Sequence, residues 1–183
     1  MSVAISVDVK GFDDVIKQFN ATPGQIKRAR KRAVKKTVKQ ITNKGRRAIA
    51  EEHHLPQKVL KKSGNYRGRV LSRIYHGGSG GHIWFGNNPI KSGYIGRLRN
   101  APNHGGAFAR DFYFKGGFIA TMRSGHTGIF ERDGRKRLPI SEADVALDRA
   151  DGLIRNLAQE SRGLFRIILQ RELNYEVNVR GSH

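Results

Sequence analysis

Residues 22–52 read TPGQIKRARKRAVKKTVKQITNKGRRAIAEE, and their pattern predicts one long α-helix. Thr22 is suited to cap the N-terminus, and Pro23 then occupies the first helical position, where its missing N–H costs nothing. Small and apolar residues recur every three to four positions, as on a helix face that contacts a core. They are Ile26, Ala29, Ala33, Thr37, Val38, Ile41, Ala48 and Ile49. A helix of this length spans about 45 Å, the width of a whole domain.

The opposite side of this helix is strongly basic. Between Lys27 and Arg47 there are eleven basic residues and no acidic one. Six of them lie together opposite Ile26 and Ile41, and we call this set the basic face: Arg28, Arg32, Lys35, Lys36, Lys39 and Arg46. Because like charges at i,i+4 destabilise an isolated helix, tertiary packing or a polyanionic partner must hold this one. We predict that the basic face binds a polyanion.

Arg30 lies within the apolar arc of the same helix. Two explanations are open from the sequence. The long side chain either extends to the edge of the core, where its charge is solvated, or meets a carboxylate from another subunit. The second explanation makes Arg30 a candidate subunit-contact residue.

The net charge of +20 is confined to one part of the chain. Residues 15–110 hold 22 Lys and Arg against only Glu51 and Glu52, whereas the remainder holds 13 residues of each sign. A basic surplus of this kind predicts attraction to DNA, RNA or an acidic protein surface. An ordinary solvated surface is the alternative.

Length and composition indicate one α+β domain over residues 1–180. A chain of 183 residues suits a single domain, and we see no internal repeat or linker. No apolar run is long enough to span a bilayer, so we predict no membrane partner. The chain contains no cysteine, which excludes disulfides and thiolate metal sites. Residues 180–183 resemble the start of an affinity-tag linker, so we give residues 181–183 no structural meaning.

Two elements are predicted before the long helix and one turn after it. Apolar and polar residues alternate over residues 3–9, which indicates a half-buried strand that ends at Gly11. Residues 12–19 have the spacing of a short amphipathic helix, with acidic residues in its first turn. Leu55-Pro56 ends the long helix, because the residue before a proline avoids the helical region. A further helical turn through Leu60 follows.

Between Gly64 and Gly134 the composition changes to short strands and loops. This segment holds 16 of the 22 glycines and 11 of the 15 aromatic residues. We predict strands near residues 69–75, 82–85, 107–114, 117–122 and 128–132. We predict mobile loops at residues 77–81 and 87–106. Because long loops are often ordered only by a partner, we expect both to contact neighbouring subunits.

The last part of the chain predicts two helices and a strand. Ser141-Glu-Ala-Asp144 resembles a capping box and favours a short helix. A broad apolar face from Leu153 to Leu169 predicts a C-terminal helix, and the alternation of Tyr175, Val177 and Val179 predicts a closing strand. The resulting order implies an α+β fold, in which the long basic helix and the C-terminal helix pack on one face of an antiparallel sheet.

The sequence shows no catalytic constellation. His53 and His54 are adjacent, whereas a helical H-E-x-x-H zinc motif needs histidines four residues apart. Further histidines lie in predicted loops or at strand ends, without a carboxylate at a recognisable ligand spacing: His76, His82, His104 and His126. Residues 77–81 lack the Gly-Lys-Ser/Thr of a phosphate loop. We predict no catalytic residue, no metal site, no cofactor and no enzymatic activity.

A distinctive block lies in residues 114–140. It reads FKGGFIATM at 114–122, then SG at 124–125, GIFER at 128–132, Gly134 and RLPI at 137–140. This block resembles the signature of the tailed-phage minor tail protein Z family. The chain length, the basic helix near the N-terminus and the late amphipathic helix are also similar to that family.

The resemblance implies a structural tail-completion protein at the head-proximal end of the phage tail. It implies a homo-oligomeric ring of six subunits that joins the tail to the neck, assembly in the host cytoplasm, and contacts with other tail and neck proteins and with the end of the phage DNA. It supplies no catalytic residues. Arg132 and Arg137 flank the turn at Gly134, and they serve either a core hairpin or a subunit contact.

Two classes of function therefore remain. In the first, the protein is an assembly module of the tail, whose basic helix faces DNA or acidic neighbours. In the second, it is a free nucleic-acid-binding protein without sequence specificity. The second is weakened because the sequence contains no helix-turn-helix pattern and no aromatic RNA-binding signature.

Overall fold

The computed structural model of the protein describes residues 2–8, 11–63, 66–102, 105–134, 136–147 and 151–180. Within these ranges the chain forms four α-helices: α1 (Asp13–Lys17), α2 (Pro23–Glu52), α3 (Ser92–Ile95) and α4 (Asp151–Asn174). Single 3₁₀ turns occupy Gln57–Leu60 and His76–Gly78. A π-helical turn, Tyr175–Val179, continues directly from α4. The predicted long helix, its N-terminal cap and the C-terminal helix are confirmed.

The described strands form four small antiparallel sheets. The first has the order β1-β3-β2, from Ser2–Asp8, Gly80–Gly86 and Val70–Ile74. The second has the order β5-β6-β7, from Leu98–Ala101, Gly106–Ala109 and Phe112–Lys115. The third has the order β8-β9-β10, from Phe118–Thr121, Thr127–Arg132 and Ile140–Glu142. The fourth pairs β4 (Ile90–Lys91) with β11 (Asp144–Val145).

Helices α2 and α4 lie side by side and cover one face of the β1-β3-β2 sheet. They run in opposite directions, because Arg28 near the start of α2 pairs with Glu176, whereas Lys44 pairs with Glu160. The covered face presents Val70, Ile83 and Phe85, which are all buried. The two helices and this sheet face share one hydrophobic cluster, and burial of that apolar surface is the main stabilising term. This arrangement confirms the predicted α+β class.

Gly45 sets how closely the two helices and the sheet approach. A Cβ atom at this position would lie 2.7 Å from Cε1 of Phe85 and 3.3 Å from Cδ1 of Leu157. Glycine is an unfavourable residue inside a helix. Here it leaves the space that the Phe85 ring of β3 and the Leu157 side chain of α4 occupy.

Three predicted elements are wrong. Residues 107–114 form two strands rather than one, because the chain turns at Arg110, which has φ +55°, and β6 then pairs with β7. Ser141 begins no helix; it lies in β10, which pairs with β9, and its Oγ donates to Asp133. Residues 175–179 form a π-helical turn rather than a strand, because buried ionic contacts hold Glu176 beside α2.

The two predicted loops are also largely folded. Residues 87–106 contain β4, α3 and β5, and Ile90, Ser92 and Ile95 in this segment are fully buried. Ser92 is held by Ile129 of β9, since its Oγ donates to the Ile129 carbonyl and accepts from the Ile129 N–H at 2.8 Å. Residues 77–81 contain part of a 3₁₀ turn and the beginning of β3. The expectation that these segments lack structure in the single chain is therefore wrong.

Candidate functional site: the basic face of the long helix

The N-terminus of α2 is fixed by a capping box. Oγ1 of Thr22 accepts a hydrogen bond from the Gln25 N–H at 3.3 Å, and Oε1 of Gln25 accepts from the Thr22 N–H at 2.8 Å. Together these bonds satisfy donors that the first helical turn leaves free. Gln25 also donates from Nε2 to the Glu176 carbonyl at 3.0 Å. The cap therefore holds the start of α2 against the end of the chain.

Three members of the basic face pair with two glutamates from the C-terminal segment. Arg28 donates to Glu176 at 2.7 Å, and Arg32 donates to both Glu172 and Glu176 at 2.5 Å. The Glu176 side chain is fully buried, and that of Glu172 is 7% exposed. Lys36 pairs with Glu172, and Arg180 lies 3.4 Å from Glu176. The four cations around two buried carboxylates leave this cluster net positive.

The cluster keeps both carboxylates ionised. Burial raises the pKa of Glu176, but hydrogen bonds from Arg28 and Arg32 and the charges of these residues outweigh it, and the pKa falls from 4.5 to about 2. Burial likewise raises the pKa of Glu172, and the hydrogen bonds from Lys36 and Arg32 lower it to a net value below 4.5. These contacts supply the tertiary support that a basic helix needs against its own repulsion.

The other members of the basic face lie outside this cluster. Lys35 and Lys39 are exposed and form no hydrogen bond or ion pair with any residue that the structure describes. Arg46 donates from Nη2 to the Val70 carbonyl at 3.0 Å, at the open edge of β2, and burial lowers its pKa. The basic face is thus divided into an internally paired part, a solvent-exposed centre and an arginine that caps the sheet edge.

The three predicted subunit-contact arginines lie in different parts of the structure. Arg30 is about one-third exposed, its Nη2 lies 3.6 Å from Oδ1 of Asp13 in the same chain, and its Nε has no partner among the described residues. Arg132 is exposed on β9, with its guanidinium 5.4 Å from the ring centre of Phe118. Arg137 is exposed within the connection between β9 and β10. Whether they contact another subunit stays a prediction.

The histidines form no metal centre in the part of the chain that the structure describes, where no group of three potential ligands occurs. His104 lies outside the described residues. Nε2 of His126 lies 2.9 Å from Oε1 of Glu142, a carboxylate that also accepts from the Gly93 N–H at 3.1 Å. This contact joins β9 and β10 to α3, a structural role that the sequence spacing did not reveal.

Glu172 and Glu176 are the residues of this site that sequence reasoning missed. Their i,i+4 spacing would place both on one helix face. The alternation of Tyr175, Val177 and Val179 instead favoured a strand, which placed Glu176 outside the helix. A helix extended through residue 179 places both glutamates on one face, and that reading of the sequence would have revealed the pair.

These features define an α+β protein with a long, partly neutralised basic helix and no recognisable catalytic cluster among its described residues. The chain belongs to the prophage minor tail protein Z (GPZ) family, whose model matches residues 9–180. The protein is therefore a structural component of the phage virion tail. Neither a curated protein sequence nor a solved structure matches the chain. No described helix is both long enough and apolar enough to cross a membrane.

Proposed function

We propose that the protein completes the head-proximal end of the tail as a ring of six subunits that joins the tail to the neck, with the basic face directed towards the DNA that passes through. The observation that carries this proposal is the exposure of Lys35 and Lys39 in the centre of the basic face. The internal carboxylates pair with Arg28, Arg32 and Lys36 and do not reach these two lysines. Their charge is available to an external polyanion.

The ring part of the proposal is supported by the distribution of exposed charge. A head-to-tail contact in a closed ring joins two different surfaces of the same chain. Arg132 and Arg137 are exposed at the β9–β10 connection and form no ion pair with any described residue, so their charge is available to an acidic surface of a neighbouring subunit. Surfaces of unlike charge favour head-to-tail over like-to-like contact. Membership of a tail protein family favours this assembly over a free nucleic-acid-binding protein.

The test compares two double variants. Lys35→Gln with Lys39→Gln removes two charges from the centre of the basic face, and Lys17→Gln with Lys115→Gln removes two exposed charges elsewhere. If both lysines neutralise phosphates, the first variant reduces the slope of log affinity for duplex DNA against log salt by about 1.8. It also lowers phage infectivity, because the face acts in the assembled tail.

The control variant should keep both the salt slope and the infectivity of the wild type. Arg32 is left intact in the test, because its replacement would also unpair Glu172 and Glu176. An unchanged slope with full infectivity in the Lys35 and Lys39 variant would show that the basic face is ordinary solvated surface. An unchanged slope with defective attachment of tails to heads would show that an acidic protein, rather than DNA, contacts it.

A further inference from the structure

A second basic surface lies on the side of the β1-β3-β2 sheet that α2 and α4 do not cover. Because side chains alternate along a strand, burial of Ile83 and Phe85 against the helices places His82 and Trp84 on the outer face. Their cross-strand neighbours on β2 are Arg73 and Leu71. This face carries the single tryptophan of the chain.

The indole of Trp84 lies along the sheet. A Cβ atom at Gly86, two residues further along the same strand, would overlap the six-membered ring of Trp84. The ring therefore occupies the space above Gly86, with one side against the backbone. A groove of about 400 Å³ adjoins it, lined by Arg67, Leu71, Ser72, Arg73, His82 and Trp84.

A second groove begins at Tyr66, the residue before Arg67 of the first groove. Tyr66, which immediately precedes Arg67, lines a groove of about 350 Å³ together with Tyr94 and three lysines: Lys58, Lys61 and Lys62. The Tyr66 and Tyr94 rings lie 4.5 Å apart, and the ring of His126, just before β9, lies 5.3 Å from that of Tyr94 in α3. The guanidinium of Arg69 lies 5.5 Å from the centre of the Tyr66 ring.

The chemistry of the two grooves is the same. Each has aromatic rings in its wall and several cations around them, and no described residue that lines either groove carries a carboxylate. Aromatic faces stack on the bases of single-stranded nucleic acid, and cations beside them neutralise the phosphates. Paired bases in a duplex are stacked on one another, so they do not offer their faces to such grooves.

We propose that the Trp84 groove and the Tyr94 groove form one binding surface for single-stranded nucleic acid. Single-stranded nucleic acid complements both grooves, because its phosphates match the cations and its bases stack on the aromatic walls. An acidic protein segment would satisfy the cations but would not use the indole face as a stacking surface. The proposal does not depend on the role of the basic face of α2, which lies on the opposite side of this sheet.

The single tryptophan makes the proposal directly measurable. Titration of the full-length protein with an oligothymidine should quench the fluorescence of Trp84, because a stacked base contacts the indole. A duplex of equal length and a polyglutamate peptide of equal charge should leave this fluorescence unchanged. The Lys35→Gln and Lys39→Gln double variant should show the same quenching as the wild type, which separates this site from the basic face.

Affinity is measured in parallel with a labelled oligothymidine on the Lys35→Gln, Lys39→Gln background, so that the basic face does not contribute to binding. Trp84→Ala should weaken binding about 5- to 150-fold, since loss of one base–aromatic stack has an effect of that order. Tyr113→Ala removes an exposed aromatic residue from β7 and should leave the affinity unchanged. Trp84→Phe, which keeps an aromatic face, should recover part of the binding, and it provides the affinity test if Trp84→Ala does not fold.

Two results would overturn the proposal. The first is binding of oligothymidine to the wild type without any change in Trp84 fluorescence. The second is equal quenching by polyglutamate, which would identify an acidic protein segment as the occupant.

Discussion

Glu176 is a charged side chain that the fold buries completely. It is stabilised by Arg28 and Arg32 of α2, which come from a part of the chain almost 150 residues earlier. A buried carboxylate is costly unless it is paired and hydrogen-bonded, and here both conditions hold. The pairing fixes the C-terminal turn against the first half of α2.

We predict that Glu176→Gln lowers the free energy of unfolding at pH 7 by about 1.5–3 kcal/mol, the usual contribution of hydrogen bonds to charged groups. The matched control is Glu160→Gln, which breaks the exposed pair with Lys44 and should cost less than about 1 kcal/mol. Urea unfolding of both variants measures the difference. Equal effects of the two changes would contradict a stabilising role for the buried carboxylate.

The same residue predicts a pH dependence of stability. The pKa of Glu176 is about 2 in the folded chain and 4.5 as its ordinary value, so the stabilisation is complete above pH 4.5 and is lost as the pH falls towards 2. The wild type should therefore lose more stability than Glu176→Gln between pH 5 and pH 2. Parallel stability curves for the two proteins over this range would contradict the pairing.

Gly45 in α2 and Gly163 in α4 provide a second matched pair of variants. Gly45→Ala should destabilise the protein by about 1–3 kcal/mol, because the new methyl group overlaps the Phe85 ring. Gly163 lies in α4, and a Cβ atom there would meet no other atom within 4 Å. Gly163→Ala should therefore stabilise the protein by about 0.5–1 kcal/mol through helix propensity. Thermal unfolding of both variants measures the two signs. Stabilisation by Gly45→Ala would show that Gly45 has no packing role.

The amphipathic helices could be predicted from the sequence because their signals are local. The cap at Thr22 and the apolar repeat of α2 lie within the helix itself, as does the broad apolar face of α4. The ion pairs of Arg28 and Arg32 depend on contacts across the whole chain, and no local pattern specifies them. Periodicity therefore identified the basic face but not the carboxylates that neutralise part of it.

The short strands also depend on distant contacts that local sequence patterns do not specify. Residues 107–114 contain an apolar run that reads as one strand, and only the positive φ at Arg110 and the pairing of β6 with β7 divide it. Ser141 has a helical capping pattern, but pairing with Glu131 in β9 takes precedence over it. Cross-strand partners, rather than local preference, decide such segments.

The segment that contains β4, α3 and β5 provides a test at this scale. Ser92 and Ile95 are fully buried, and Ser92 bonds to Ile129 in both directions. The N–H groups of Ser92 and Gly93 donate to the Ala143 carbonyl at 2.9 Å and to Glu142 at 3.1 Å, so these two amides should exchange slowly with solvent in the free chain. Hydrogen exchange read by mass spectrometry on the isolated protein measures this protection. Exchange at the rate of an unstructured peptide would contradict the folded segment.

At the scale of the whole molecule, two basic surfaces lie on opposite sides of one sheet. The basic face of α2 lies on one side of the β1-β3-β2 sheet, and the Trp84 groove lies on the other. Internal acids neutralise part of the first surface, whereas no described carboxylate lines the second. If both proposals hold, the protein would contact nucleic acid from two sides of this sheet.

A cryo-EM map of the purified tail shows directly where the chain lies and which way the basic face points. We predict six copies of this chain in a closed ring at the head-proximal end of the tail. In that ring, Lys35 and Lys39 face the central channel, and Arg30, Arg132 and Arg137 lie at contacts between subunits. A map that places the chain elsewhere in the tail, or in the ring with Lys35 and Lys39 facing away from the channel, would contradict the proposed role.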